Sequence, residues 1–150
     1  MNSRPEPLLD RAPLYDESAL ELDVRDVMTH GVVTISENAT LDEAVDAMAA
    51  HRIHAVLVVG SQTGTMLGWV TTRGLLGMVG SDAQTPATEA ITEQATTIEP
   101  NASVRSAIYA LALPRVTRLL VRHRPLDLAE GVITDYDLTV KATRLSRHPA

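Results

Sequence analysis

The sequence predicts an α/β (α+β) fold in which two βαββα units, related by a pseudo-twofold axis, pack short sheets on helices. Three observations lead there. A shift of 63 residues, the separation of Thr71 from Thr134, lays VVTISENATLDEAVDAMAAHRIHAVLVV (32–59) over ATTIEPNASVRSAIYALALPRVTRLLVR (95–122) without a gap. Thr34 then meets Thr97, Ala44 meets Ala107, Arg52 meets Arg115 and Gly68 meets Gly131. Within each copy the apolar pattern changes from a helical period to short β-branched runs. Finally, a half of roughly 60 residues buries too little surface to stand alone. The halves are therefore expected to share a core, with a cleft where equivalent edges meet.

Each element has a local reason. A short helix is expected at 23–29 and again at 86–92, where Pro86 suits a first helical turn. Residues 32–35 and 95–98 are short β-branched stretches ending in turn formers, Ser36-Glu37-Asn38 and Glu99-Pro100-Asn101. Thr40 and Glu43 fit a capping box, after which Leu41, Ala44, Val45 and Met48 form an apolar stripe. The counterpart stripe is Val104, Ala107, Ile108 and Leu111, and Pro114 ends that helix. Strands follow at 53–59 and 66–71, joined by GSQTG, and at 116–122 and 129–134, joined by the less tidy HRPLDLAE. Closing helices start at 72 and 135. The expected division is a flexible arm (1–22), repeat 1 (23–83), repeat 2 (84–144) and a basic tail (145–150).

Composition narrows the function classes. A net charge of −6 argues against a general nucleic-acid surface, which needs clustered Lys and Arg. Without cysteine there is neither disulfide nor thiolate chemistry. The Pro-rich N-terminus has no apolar core of a signal peptide, and no apolar run reaches membrane-spanning length, so a cytoplasmic location is expected. Catalysis needs a nucleophile, an acid–base pair or a metal. The nearest candidate, His51 with His54, lacks a third ligand nearby, so no enzyme and no metal site are expected. The acidic run Asp16, Glu17, Glu21 and Asp23 reads as a solvated arm, and the tail Lys141, Arg144, Arg147 and His148 as a solvated helix end.

The motifs that carry chemistry are GWVTTRGLL (68–76) and GVITDYDL (131–138). They share Gly, two apolar residues and Thr, but the acid Asp137 is matched by Gly74. One reading of Thr134-Asp-Tyr-Asp137 is a capping box, with the carboxylate serving only the backbone.

Taken with VRDVMT (24–29), TISENATLDEAVDAM (34–48) and VLVV (56–59), these motifs resemble the cystathionine-β-synthase (CBS) domain in its tandem, Bateman-module form. The resemblance spans about residues 23–144. It implies an adenosine-ligand sensor that binds AMP, ADP or ATP in the inter-repeat cleft, with S-adenosylmethionine or NAD as lesser alternatives. It also implies a homodimer and, as no output domain is fused on, an effector protein as partner; neither DNA nor a membrane is expected. The family's acid accepts from ribose hydroxyls and its Ser or Thr approaches phosphate. Carried over, the site is Thr134 and Asp137, with Thr97 and Ile98 lining the adenine pocket and Ile98 or Ile133 covering the base. His54 and Arg73 are the phosphate-facing candidates from the other repeat. The first repeat's own site retains Thr71, Thr34 and the cross-cleft Arg118 but has no acid at Gly74, so it is expected to be weak or empty. The competing expectation is a CBS-type dimerisation scaffold without a ligand.

Overall fold

The computed structural model describes residues 12–123 and 128–147. It contains a three-stranded sheet of order β2-β3-β4 (Thr34–Ser36, Ala55–Val59, Met66–Thr71) and a four-stranded sheet of order β1-β7-β6-β5 (Thr29–His30, Leu128–Thr134, Arg118–His123, Thr97–Ile98). In each, a parallel pair leads into an antiparallel pair, as the βαββα reading requires. The repeat survives in the register: Thr34 pairs with Leu57 as Thr97 pairs with Leu120, and Ala55 with Thr71 as Arg118 with Thr134. Even the bulges coincide, between Val58 and Val59 and between Val121 and Arg122. Part of the HRPLDLAE connection, residues 124–127, lies outside the described residues.

Helix α3 (Leu41–His51) starts on the expected capping box. Thr40 Oγ1 accepts from the Glu43 amide at 3.1 Å, and the Glu43 carboxylate accepts from the Thr40 amide at 3.1 Å. It ends at Arg52 in the left-handed region (φ 53°), as α5 (Val104–Leu111) is followed by Arg115 at φ 62°. Leu41, Ala44 and Met48 are buried, but Val45 is 49% exposed, so the stripe is narrower than expected. The second repeat's stripe holds, with Val104 and Ala107 fully buried.

Two segments cross between halves. Helix α2 (Val24–Val27) belongs to the first repeat by sequence, yet Val24, Val27 and Met28 are buried against Val104, Leu119, Val121 and Ile133 of the second. Strand β1 then pairs antiparallel with β7, Thr29 opposite Val132. The equivalent segment 91–93 lies on β4: the Trp69 amide donates to the Glu93 carbonyl at 2.9 Å. This crossing explains the glycine that the two motifs share. A Cβ on Gly131 would collide with the Thr29 carbonyl oxygen, and one on Gly68 (φ +146°) would lie 2.6 Å from that of Glu93. The short helix expected at 86–92 is a 3-10 turn, Ala87–Ala90, and it fills the first repeat's core with Ala87 and Ala90.

Within the arm expected to be flexible, residues 13–21 make hydrogen bonds and ion pairs to the second half; residues 1–11 lie outside the described residues. Helix α1 (Glu17–Leu20) is capped by Asp16, whose pKa is held low first by the Ala19 amide and then by the Ser18 hydroxyl. Glu17 and Glu21 both pair with Arg105, at 3.0 and 3.3 Å. Tyr15 donates its hydroxyl to the Leu138 carbonyl at 2.7 Å, and burial raises its pKa. The acidic run is thus partly a docking surface rather than a solvated arm. At the other end, Arg147 of the expected basic tail donates to the Pro13 and Leu14 carbonyls, closing the same contact.

Candidate functional site

The closing helices begin differently. Helix α4 (Thr72–Leu76) is one regular turn, capped by Thr71 Oγ1, which accepts the Gly74 amide at 2.9 Å. After β7 the chain makes a helical turn at 135–136, a π-turn Asp137–Lys141, and then α6 (Ala142–Arg147). Such wide turns occur often at functional sites. Here the turn brings Lys141 Nζ to 2.7 Å from Asp137 Oδ1.

Asp137 is almost fully buried, at 1% exposure, and its carboxylate is well provided for. It accepts from the Thr134 amide at 3.0 Å, the Thr134 hydroxyl at 3.2 Å and the Thr29 hydroxyl at 3.3 Å. Lys141 also donates to Thr29 at 3.2 Å. The capping role therefore exists in the structure, but it does not exhaust the contacts: Thr29 belongs to the crossing strand β1.

Thr29 and Thr134 both line a cleft of 570 Å³ between the halves. Its walls are the crossing segment 29–33, the segment His51–Ala55, Trp69, and Arg118, Val132 and Thr134 from the second half. Asp137 stands directly behind the Thr29–Thr134 wall. His30, His51, His54, Arg52 and Arg118 bring nitrogen donors to this cleft, and Val32, Val33, Ile53 and Val132 bring apolar surface. An apolar wall with a few convergent polar groups is the composition of small-ligand sites.

A second cleft, of 490 Å³, is its counterpart around Gly74. Thr71, Thr72, Arg73, Thr92, Glu93, Thr117 and Arg118 line it. Arg118 is common to both. Its guanidinium lies 5.8 Å from the centroid of the Trp69 ring, and Nε donates to Thr117 Oγ1 at 3.2 Å. Burial lowers its pKa, with Glu93 and Asp135 opposing that shift.

Of the expected site residues, Thr134 and His54 line the larger cleft and Asp137 backs it. Thr97, Ile98, Ile133 and Arg73 do not. Thr97 and Ile98 sit in β5 beside β6, and Ile98 packs into the second half's core. The crossing puts residues 29–33 where Thr97 and Ile98 were expected. Ile133 is fully buried in that core because successive strand residues face opposite ways, so Val132 and Thr134 meet the cleft instead. Arg73 lines the Gly74 cleft, beside its own repeat's motif, rather than reaching to Asp137. Thr71 and Arg118 are in the Gly74 cleft as expected, but Thr34 is not among its lining residues. His51 and His54 share the larger cleft; among the described residues no three His, Cys, Asp or Glu side chains converge in a metal-binding cluster.

Thr29, Lys141 and Trp69 are additions. The same shift of 63 pairs Thr29 with Thr92, and Lys141 lies one helical turn beyond Asp137. Both signals were present in the sequence.

Comparison with known proteins settles the family. A family model of the CBS domain matches residues 24–81. A Bacillus subtilis (strain 168) protein, CBS domain-containing protein YhcV, is 33% identical over 99 residues, covering 64% of this chain and 69% of that protein. The chain belongs to the CBS-domain family. Among solved structures, the CBS-domain containing protein ATU1752 from Agrobacterium tumefaciens superposes with a TM-score of 0.70 at 25% identity, over 87% of this chain and 98% of that one. CBS domain protein PAE2072 from Pyrobaculum aerophilum, solved in complex with AMP, shares the fold with a TM-score of 0.72 at 19% identity, over 86% of this chain and 100% of that one. The two halves seen here are the α/β architecture of such CBS proteins. No helix among the described residues is long and apolar enough to cross a membrane.

Proposed function

We propose that this chain is a non-catalytic CBS-pair regulatory module that senses an adenine nucleotide (AMP, ADP or ATP) in the cleft backed by Asp137. The observation that carries the reading is the buried carboxylate joined to the cleft wall through Thr29 and Thr134. A ribose hydroxyl that takes the place of the Thr29 hydroxyl on Asp137 gains a charge-assisted bond, the stronger kind. The apolar segment 32–33 and Val132 suit a base, while His54, Arg52 and Arg118 suit phosphate. That a fold relative is known in complex with AMP supports the ligand class.

Binding acts by differential affinity for two states of the module. The second state involves a homodimer in the cytoplasm or an effector protein. In favour of self-association, Leu76, Val79, Tyr109, Leu113 and Tyr136 are each more than half exposed on or beside the helices.

A ligand-free dimerisation scaffold is the second reading. It is favoured by the completeness of the Asp137 contacts without any ligand, Lys141 included. Thermal shift with AMP, ADP, ATP, NAD and S-adenosylmethionine separates the two. A nucleotide at 100 times its Kd raises stability by about 2.7 kcal/mol. No response to any of the five leaves the scaffold.

A further inference from the structure

Arg118 occupies an unusual place, because one side chain lines two clefts. It opens β6 opposite Thr134, so its stem is fixed by the sheet while its head lies between the halves. The only hydrogen bond of its guanidinium among the described residues is from Nε to Thr117, and no carboxylate lies within ion-pair distance. Glu93, on the Gly74 side, is committed to the Thr117 amide and hydroxyl at 3.0 and 2.6 Å. Asp135 follows Thr134, the strand partner of Arg118. Glu93 and Asp135 both favour the charge of this half-buried cation, yet neither pairs with it directly. Meanwhile the Gly74 cleft offers Arg73 and the Thr72 and Thr92 hydroxyls; its one lining carboxylate, Glu93, is held by Thr117, and there is none at 74 to read a ribose. Its chemistry favours a small phosphate compound over a nucleoside.

We propose that Arg118 is one cation shared by two sites: a diol-free polyphosphate in the Gly74 cleft and a nucleotide in the Asp137 cleft compete for its guanidinium and weaken each other. The nucleotide half rests on the function proposed above. With Nε committed to Thr117, the terminal Nη edge is left for one bidentate pairing, so whichever anion draws it leaves the other site short of charge. Linkage makes the effect reciprocal.

The test uses Trp69, the only tryptophan in the chain, whose ring lies under that guanidinium. Inorganic pyrophosphate is titrated into the full chain while Trp69 emission is followed, and AMP affinity is then measured by calorimetry at rising pyrophosphate. The expected result is a saturable emission change that is absent in Arg118→Gln, and in Arg118→Met should the first variant not fold. AMP affinity falls about 5- to 20-fold and then reaches a plateau. An unchanged emission, or the same change in the Arg118 variants, overturns the proposal. So does AMP affinity that is unaffected, or that falls without limit, the signature of direct displacement. Absence of AMP binding to the unmodified chain would instead refute the nucleotide reading, and the emission titration still decides whether pyrophosphate moves Arg118.

Discussion

At the end of β7, Thr134 and Asp137 clasp each other, and the carboxylate also reaches Thr29 and Lys141. At the end of β4, Thr71 accepts the Gly74 amide and nothing returns the bond. The two turns begin from one plan, with the same strand register, the same preceding glycine and an equivalent crossing segment. They differ in what the crossing strand finds. Thr29 finds a carboxylate; Thr92 finds a bare backbone, its methyl 3.3 Å from where a Cβ on Gly74 would be. The position one helical turn on differs in step: Lys141 in one half and Met78 in the other. An acid and its cation are both present or both absent. The lesson is that the two halves share one backbone scaffold, while the charge in one of them rests on a pair, Asp137 with Lys141, that the other lacks as a pair.

The most severe way to break this comparison is at the crossing itself. Gly131→Val sets a side chain against the Thr29 carbonyl and the Met28 sulfur, and is expected to cost about 3 kcal/mol in urea unfolding. Because the collision separates β1 from β7, AMP binding should fail with it. Asp137→Ala comes next. It removes the cap and the ion pair, costing about 1–3 kcal/mol, and should weaken AMP about 30- to 100-fold by calorimetry. Gly74→Asp sharpens the contrast from the other side. The new Cβ lies 3.3 Å from the Ala90 carbonyl, with no cation one turn on, so a loss of about 1–2 kcal/mol by thermal melting is expected. Adding Met78→Lys supplies that cation. A double-mutant cycle should then show favourable coupling between positions 74 and 78 of about 0.3–0.5 kcal/mol, the smallest effect of the series.

Much of the fold was legible because its signals are local. The Thr40–Glu43 box, the strand Met66–Thr71 and the end of α5 before Pro114 each depend on neighbours in sequence. The crossing was not legible in the same way. Strand β1 is two residues long, too short for a period, and its partner β7 lies about a hundred positions away. Without it, the sequence reading put Thr97 and Ile98 in the cleft wall that residues 29–33 line. Ile133 was a different kind of miss, since alternation alone separates it from Thr134. Val45 shows the limit of a helical stripe, which gives the face of a helix but not how wide the opposing surface is. At the site, the Thr134–Asp137 pair was readable from the repeat. Its two further partners, Thr29 and Lys141, needed the crossing strand and the π-turn respectively.

The central claim is that the pair is asymmetric, with Asp137 making the nucleotide site. Calorimetric titration of AMP into the unmodified chain and into Asp137→Asn tests it most directly, with circular dichroism confirming that both are folded. The account predicts saturable binding to the unmodified chain and at least a tenfold loss in the variant, since the amide keeps the shape but not the charge. Equal affinity in the two proteins, or no binding to either, would contradict it.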